Sequence, residues 1–340
     1  MRAVVVRNYG GPEALEVIDA ALPEPGHGQV RIRVEAAAVN PVDAATRQGY
    51  TNVDRPGVIR DRDHVGIGWD VAGIVEAAGP GVTSPAPGER VIGLRDRLDQ
   101  RLGAYAEQVV LDAADVARVP RGVDSVAAPT LALNGLTAVQ ALDLLGLAAG
   151  QTILVTGAAG GLGGFGVELA AMRGLRVIAA AGDDDEKLAR ELGASGFVPR
   201  SADLATAVRD LVPGGVDAVF DAAVLGYPAL DSVRAGGSFA AFVGSGPVPL
   251  RGIRVVPVNI HADGAALTGL VALAASGKLT LRVAGTYPLA DAARGARADG
   301  GSGRMRATGP RPVSGPPGLV VRDSGRLAGL RGKKSTRLPR

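Results

Sequence analysis

The glycine-rich stretch at residues 157–164 has the pattern of a phosphate-binding turn. It directly follows residues 153–156, a short apolar and β-branched run that is typical of a buried parallel strand. Leu162, Phe165 and Leu169 then recur at helical spacing, so the glycines lie between a strand and a helix. In that context the free N–H groups and the positive dipole end of the helix face phosphate groups. The stretch therefore predicts a dinucleotide site, although a simple glycine-rich turn stays open in a chain with 50 glycines.

The positions of this turn have separate expected roles. Gly160 is expected to let the backbone approach a pyrophosphate, where a Cβ atom would not fit. Gly163 and Gly164 are expected to let the helix pack closely on its strand. The predicted cofactor-binding residues of the turn are Gly157, Ala158, Ala159, Gly160, Gly161, Leu162 and Gly163.

The size and composition of the chain exclude several classes of protein. A length of 340 residues predicts about two domains with an ample core. The sequence contains no cysteine, which excludes disulfides, thiolate zinc sites, iron–sulfur clusters and a cysteine nucleophile. No apolar run reaches membrane-spanning length, and residues 1–10 indicate a strand and a turn rather than a signal peptide. A cytoplasmic protein without membrane contact is the expectation.

The formal net charge of +3 is unevenly distributed. From residue 295 onward, eleven Lys and Arg stand against two Asp and Glu, whereas the rest of the chain holds 26 basic and 32 acidic residues. The body is therefore mildly acidic, and no nucleic-acid partner is expected.

The pattern of predicted strands and helices around the glycine turn changes near residue 125. Residues 1–125 contain short strands between turns, with no long helical period, which predicts a compact β-rich domain. After a helical stretch at 126–147, strands and helices alternate, and this predicts an α/β fold with a doubly wound parallel sheet. The predicted strands are residues 153–156, 176–181, 196–199, 216–222, 238–243 and 253–258. Pro257 places the last of them at a sheet edge.

Several segments, in the same order, resemble the zinc-independent quinone oxidoreductase-like branch of the medium-chain dehydrogenase/reductases. They are Asn40-Pro41-Val42-Asp43, residues 68–73, 88–91 and 134–138, the glycine turn, and Tyr287-Pro288-Leu289. The resemblance covers residues 1–294. It implies a GroES-like domain at 1–125, a Rossmann domain at 126–260 and a segment at 261–294 that returns to the first domain. It also implies NADPH as hydride donor, and often a homodimer.

The resemblance also implies that the protein holds no metal. Zinc alcohol dehydrogenases carry Gly-His-Glu where this chain has Gly68-Trp69-Asp70, and their cysteine ligand near Asp43 is absent. Of the three histidines, His27 and His261 lie in predicted surface turns and His64 lies in a charged stretch, so surface positions are expected for them.

Without a metal, the predicted chemistry is hydride transfer from a nicotinamide to an electron-poor quinone or activated C=C, for which the protein mainly positions donor and acceptor. By resemblance, Asn40 lies in the cleft beside the nicotinamide; the alternative is an Asn that stabilises the turn before Pro41. Tyr50 is the second catalytic candidate. Quinone oxidoreductases usually carry aromatic residues at the places that correspond to Ala45 and Thr51, and Tyr50 lies one position from the second. Because neither place is aromatic in this chain, enoyl reduction stays open.

Further cofactor-binding residues follow from the resemblance and from the sheet. Thr137 resembles the family residue that faces the cofactor, although its hydroxyl could instead bond along its own helix. Lys187 resembles a phosphate contact, although a lysine in a charge run is usually solvated. Val243, Gly244 and Ser245 end the fifth strand, where open parallel sheets bind ligands. The second strand ends at residues 179–181, which are all alanine, so the carboxylate that an NAD enzyme uses at this place is missing. NADPH is therefore favoured over NADH, even though residues 183–186 are acidic.

Residues 295–340 depart from the family pattern. They are rich in Gly, Pro, Arg and Ser and have no apolar period, which predicts a disordered basic tail. Either a reading-frame change in the gene or a functional tail would explain the change. A frame change would cost the GroES-like domain its last helix and one strand.

Together these features predict a two-domain NADPH-dependent reductase of small quinones or enones, and the resemblance also allows a homodimer. Two alternatives stay open: a cofactor-binding regulatory or structural protein with little turnover, and an enoyl reductase that acts on carrier-bound acyl chains.

Overall fold

The computed structural model describes residues 1–49, 63–244, 246–300 and 318–321. The strands are β1 (Arg2–Val6), β2 (Leu15–Asp19), β3 (Gln29–Val39), β4 (Val65–Gly66), β5 (Asp70–Ala78), β6 (Arg90–Leu94), β7 (Gln108–Asp112), β8 (Val116–Arg118), β9 (Thr152–Thr156), β10 (Arg176–Ala181), β11 (Gly196–Pro199), β12 (Val216–Asp221), β13 (Val233–Ala241), β14 (Arg254–Pro257), β15 (Gly285–Pro288) and β16 (Gly318–Val321). The helices are α1 (Pro41–Arg47), α2 (Ala132–Leu145), α3 (Gly161–Met172), α4 (Glu186–Glu191), α5 (Leu204–Leu211), α6 (Tyr227–Leu230), α7 (Gly264–Ala275) and α8 (Ala292–Gly300).

A six-stranded parallel sheet forms the second half of the protein, in the order β11-β10-β9-β12-β13-β14. The chain winds outward from β9 to β11 and then returns to place β12 on the other side of β9. Every residue of β9 is buried, as its unbroken apolar run predicts for a central strand. The predicted doubly wound Rossmann sheet is confirmed, with its switch point between β9 and β12 and with β14 at an edge.

The first half of the protein is β-rich, as predicted for the GroES-like domain. Its main sheet has the order β15-β16-β3-β5-β6-β8, with β7 also paired to β3. A smaller sheet has the order β2-β1-β4. The long strand β3 begins with alternating buried and more exposed residues, which matches the half-solvated pattern of its sequence.

The C-terminal region contains a helix and a strand, contrary to the loss expected if the reading frame had changed. Helix α8 runs through residue 294 to Gly300, and β16 pairs in parallel with β3 and antiparallel with β15. The average composition of residues 295–340 concealed the short apolar run of residues 318–321, which gains backbone partners on both sides. Residues 301–317 and 322–340 lie outside the described residues.

One apolar core crosses the predicted domain boundary at residue 125. Trp69, only 7% exposed, belongs to a buried cluster with Ile92, Leu131 and Leu136, so the indole helps to join the two halves. The boundaries at residues 125, 260 and 294 remain predictions.

Candidate dinucleotide site

The glycine turn connects the end of β9 to the start of α3. Gly157 has a positive φ of 61°, which glycine adopts without steric cost. The N–H of Gly160 donates to the Gly157 carbonyl at 2.8 Å, and the first helical bond runs from the Gly164 N–H to the Gly160 carbonyl. The N–H groups of residues 161–163 therefore form the open first turn of the helix, the part of a helix that is suited to binding an anion.

Close contacts across the turn explain its glycines. A Cβ atom at Gly163 would lie 2.1 Å from the Gly157 carbonyl oxygen, and one at Gly160 would lie 3.1 Å from the same oxygen. The expectation that Gly164 packs on the strand is wrong, since a Cβ atom there would lie 2.5 Å from Nη2 of Arg282. Gly166 has the role expected of Gly164, because a Cβ there would meet the ring of Phe220 on β12 at 3.0 Å.

Two buried polar side chains join β9 and β12 at the switch point. Thr156 Oγ1 donates to Asp221 Oδ1 at 2.7 Å and accepts the N–H of Ala223 at 3.0 Å. The other carboxylate oxygen of Asp221 accepts the N–H of Gly226 at 2.8 Å. Burial raises the pKa of Asp221, against the opposing effect of these hydrogen bonds. Asp221 thus fixes the loop that follows β12 at the carboxyl edge of the sheet.

A cavity of about 290 Å³ lies beside this loop, at the ends of β12 and β13. Its wall is mostly apolar and includes Val224, Phe239, Phe242 and Val243. The predicted cofactor residue Val243 therefore lines a cavity at the expected end of the sheet, and Gly244 follows it with a positive φ of 60°. Ser245 lies outside the described residues.

Asn40 is the centre of a buried hydrogen-bond network between the two halves of the protein. Its Nδ2 donates to Asp70 Oδ2 at 2.7 Å, and its Oδ1 accepts from Asn134 Nδ2 at 2.6 Å. The second oxygen of Asp70 accepts the backbone N–H of Leu133. With 1% exposure and both ends of the amide bonded, Asn40 is better placed to hold the cleft than to touch a substrate. Direct contact with the nicotinamide stays a prediction.

A second buried carboxylate supports Asn40 from the side of α1. Asp43 Oδ2 accepts the backbone N–H of Asn40 at 2.8 Å and the hydroxyl of Tyr105 at 3.1 Å. Asp43 therefore fixes the first turn of α1 as the third residue of a capping box whose N-cap is Asn40.

The remaining predicted site residues have mixed positions. Thr137 donates its hydroxyl to the Leu133 carbonyl of its own helix at 2.6 Å, which is the alternative that the sequence left open. The side chain of Lys187 is 88% exposed and lies 3.9 Å from Glu191. Contacts of Thr137 and Lys187 with a cofactor stay predictions. Tyr50 lies outside the described residues.

The end of β10 carries no carboxylate and has a basic neighbour. Ala181 accepts the backbone N–H of Arg200 at 2.8 Å, so the exposed Arg200 lies at the same carboxyl edge. Among the described side chains, Arg200 has no ion-pair partner. Asp183 and Asp184 are exposed, in agreement with the solvent-facing acids that the sequence predicts.

Comparison with known proteins identifies the family. Residues 26–121 match the alcohol dehydrogenase GroES-like domain, and residues 161–274 match the zinc-binding dehydrogenase domain. The 2-haloacrylate reductase of a Burkholderia species is 33% identical over 71% of this chain and 72% of its own length. The chloroplastic NADPH-dependent alkenal/one oxidoreductase of Arabidopsis thaliana is 32% identical over 82% of this chain and 70% of its own. The chain belongs to the quinone oxidoreductase-like branch of the medium-chain dehydrogenase/reductases.

Solved structures agree with this assignment. A mycobacterial quinone oxidoreductase superposes with a TM-score of 0.70 at 32% identity, covering 87% of this chain and 95% of its own. A mycobacterial protein solved with NADPH superposes with a TM-score of 0.75 at 31% identity, covering 95% of this chain and all of its own. As a member of this family, the protein is an oxidoreductase.

The zinc-ligand positions of the wider family are changed in this member. Trp69 is buried in apolar contacts where zinc enzymes have a histidine, and His27 and His261 are exposed. Over the described ranges, no three His, Asp or Glu side chains group closely enough to hold a metal ion. In the same ranges, no helix is both long and apolar enough to span a bilayer.

Sequence reasoning missed several residues that shape the site. Thr156 ends one predicted strand and Asp221 is the last residue but one of another, and the two strands flank the switch point, so their placement could have been found from the strand order alone. Asn134 and Arg200 gave weaker signals, because a pattern of apolar residues does not report which loops approach each other. Arg282 gave none.

Proposed function

We propose that this oxidoreductase uses NADPH to reduce a quinone or an activated C=C, without a metal. The observation that carries the proposal is the glycine turn at the switch point. Gly163 lets the turn pack directly against the start of the helix, because a Cβ there would meet the Gly157 carbonyl oxygen at 2.1 Å, and the N–H groups of residues 161–163 are left open. A pyrophosphate fits this arrangement because it needs close backbone approach and unpaired N–H donors.

Once bound, NADPH would supply the hydride, while the protein would bind, orient and exclude water. Residues 161–163 would hold the pyrophosphate, and Val243 would lie against the cavity at the ends of β12 and β13. The network of Asn40, Asp70 and Asn134 would hold the two halves of the protein at a fixed separation, which keeps donor and acceptor in contact.

The preference for NADPH is supported at the end of β10. A carboxylate that would bind the ribose hydroxyl of NADH is missing at Ala181, and the backbone of the exposed Arg200 is bonded to Ala181 at the same edge. Arginine suits the additional phosphate of NADPH because it forms paired, charge-assisted hydrogen bonds. The relative from Arabidopsis is named for its dependence on NADPH.

The metal-free mechanism is supported by side-chain chemistry. The chain has no cysteine, and its indole at Trp69 cannot ligate zinc. Quinones and enones are already electrophilic and need no Lewis acid for hydride addition. Relatives named for haloacrylate, alkenal and quinone reduction fit this class of acceptor.

The homodimer is part of the same proposal. The strand β14 lies at the edge of the six-stranded sheet, and Val248 and Leu250 nearby are exposed apolar side chains. Such an edge is suited to pairing with a second copy. Light scattering after size exclusion is expected to give twice the mass of one chain, and a monomer at all concentrations would contradict the pairing.

Acceptor assays test the function directly. The purified chain is mixed with NADPH and a metal chelator, and a small quinone, an enone or 2-chloroacrylate is added while the absorbance of the reduced nicotinamide is followed. Rapid oxidation with at least one acceptor is expected, and the faster acceptor class separates quinone from alkene reduction. Binding of NADPH without oxidation would instead favour a regulatory or structural protein. Activity that disappears with the chelator would contradict the metal-free mechanism.

A further inference from the structure

Arg282 lies in the segment that connects α7 to β15 and contacts the glycine turn from a distant part of the sequence. Its Nη1 donates to the Ala159 carbonyl at 2.8 Å and its Nη2 to the Gly160 carbonyl at 2.6 Å. Two carbonyl groups of the turn are thus held by one planar guanidinium, whose fork of donors matches paired acceptors.

Gly164 makes this contact possible. An ideal Cβ atom at Gly164 would lie 2.5 Å from Nη2 of Arg282, and the next atoms it would meet lie at 3.5 Å or beyond. Any larger residue at 164 would therefore push the guanidinium off the turn. Glycine at 164 and arginine at 282 are complementary, although 118 positions separate them.

The same segment is attached to α3 a second time. Thr280 donates its backbone N–H to Glu168 Oε1 at 3.0 Å, one helical turn after Gly164. Burial raises the pKa of Glu168, while the Thr280 hydrogen bond and the charge of Arg282 oppose that rise. A space of only about 10 Å³ remains between these groups, so the segment is packed tightly against the helix.

We propose that Arg282 is a positioning residue for the dinucleotide pyrophosphate. In a peptide group the C=O and the N–H point in opposite directions. By holding the carbonyls of Ala159 and Gly160, the guanidinium fixes the two peptide groups that carry the N–H groups of Gly160 and Gly161, and its positive charge reinforces that of the helix end. The inference rests on the proposed function, because it assumes that a dinucleotide binds at this turn.

The expected consequence is a change in cofactor affinity with little change in the chemical step. Arg282→Met removes two charge-assisted hydrogen bonds and is expected to raise the Kd and KM for NADPH by about tenfold. The kcat at saturating NADPH is expected to stay within about twofold, because Arg282 contacts the turn and no reacting atom. Arg282→Lys retains the charge and is expected to restore part of the affinity.

A double-mutant cycle with Gly164 separates positioning from general stability. Gly164→Ala is expected to weaken NADPH binding in the wild-type background, because its Cβ displaces the guanidinium. It is expected to add little in the Arg282→Met background. Arg254→Met is the matched control, since Arg254 also donates to two carbonyls, those of Leu144 and Leu145, on a different helix. This control is expected to leave the Kd for NADPH unchanged.

Hydrogen exchange on the protein without cofactor separates this proposal from the proposed function. The bonded amides of Gly160 and Gly164 are expected to exchange faster in Arg282→Met than in the wild type, because the turn is no longer held. Unchanged exchange there, an unchanged Kd, or additive effects of Gly164→Ala and Arg282→Met would each overturn the positioning role. A wild-type chain that binds no reduced dinucleotide would overturn the proposed function, whatever the exchange shows.

Discussion

Replacement of Gly163 by alanine tests whether the glycine turn binds a dinucleotide. The new Cβ would lie 2.1 Å from the Gly157 carbonyl oxygen, 2.6 Å from its carbon and 3.0 Å from the Ala158 Cα. Carbon and oxygen atoms normally stay about 3.3 Å or more apart, so the turn and the helix must separate by about 1 Å. Because these contacts are backbone atoms, no side chain can move aside to relieve them.

That displacement exceeds the tolerance of a hydrogen bond. N–H···O distances span only about 2.7–3.2 Å, so a shift of about 1 Å breaks the bonds from residues 161–163 to a phosphate. Each such charge-assisted bond contributes about 1.5–3 kcal/mol, and the loss of two predicts a rise in the Kd for NADPH of about a hundredfold or more.

Isothermal titration calorimetry measures this Kd, with circular dichroism to confirm that the variant is folded. Gly269→Ala is the matched control, because a Cβ at Gly269 on α7 would meet no atom within 4 Å. The control is expected to bind NADPH as the wild type does and to gain up to about 1 kcal/mol of stability from helix propensity. A folded Gly163→Ala variant whose Kd stays within about threefold of the wild type would refute the turn as the binding site.

Further substitutions test the surroundings of the site. Arg200→Ala is expected to weaken binding of NADPH about tenfold and to leave NADH nearly unchanged, with a smaller effect for Lys187→Ala because that side chain is solvated. Asn134→Leu is expected to lower the free energy of unfolding by about 1–3 kcal/mol, since the buried Oδ1 of Asn40 loses the hydrogen bond that Asn134 donates. The pKa of Glu168 is raised in the folded protein above the ordinary glutamate pKa of about 4. The wild type is therefore expected to lose stability as pH rises from about 4 through the pKa of Glu168 in the folded protein. Glu168→Gln removes this loss, because the glutamine side chain does not ionise.

Each of these expectations has a contrary result. Equal losses of NADPH and NADH affinity in Arg200→Ala would show that the guanidinium does not bind the additional phosphate of NADPH. If Asn134→Leu unfolds at the same urea concentration as the wild type, the hydrogen bond from Asn134 to Asn40 contributes nothing to stability. The difference in Tm between Glu168→Gln and the wild type is expected to widen as pH rises above 4, and a constant difference would contradict the burial of an ionisable carboxyl.

Most of the second domain could be predicted from the sequence, since its strands are short apolar runs at regular spacing. The strand predicted at 176–181 coincides with β10, and the one predicted at 196–199 coincides with β11. Central parallel strands are buried on both faces, so their residues report their position directly. The closing strand β16 was missed because a four-residue element in a region rich in glycine and proline has no period of its own, and only its partners β3 and β15 define it.

The candidate site was predictable in part. The turn itself follows from local rules, because strand, glycines and helix are adjacent in the chain. The network around Asn40 and the contact of Arg282 with the turn join residues that lie 94 and more than 120 positions apart. No local pattern encodes such pairs. Gly164 shows the limit clearly, since its place in the fingerprint suggested packing on the strand while its actual neighbour is a distant arginine.

The most direct measurement of the central claim follows the hydride itself. NADPH that carries deuterium at C4 of the nicotinamide, on one face or the other, is incubated with the protein, a chelator and an enone, and the product is examined by mass spectrometry and NMR. We expect one deuterium at the β-carbon of the product from one labelled face and none from the other, with the α-proton taken from water. An enone product without deuterium from either face would contradict direct hydride transfer by this protein.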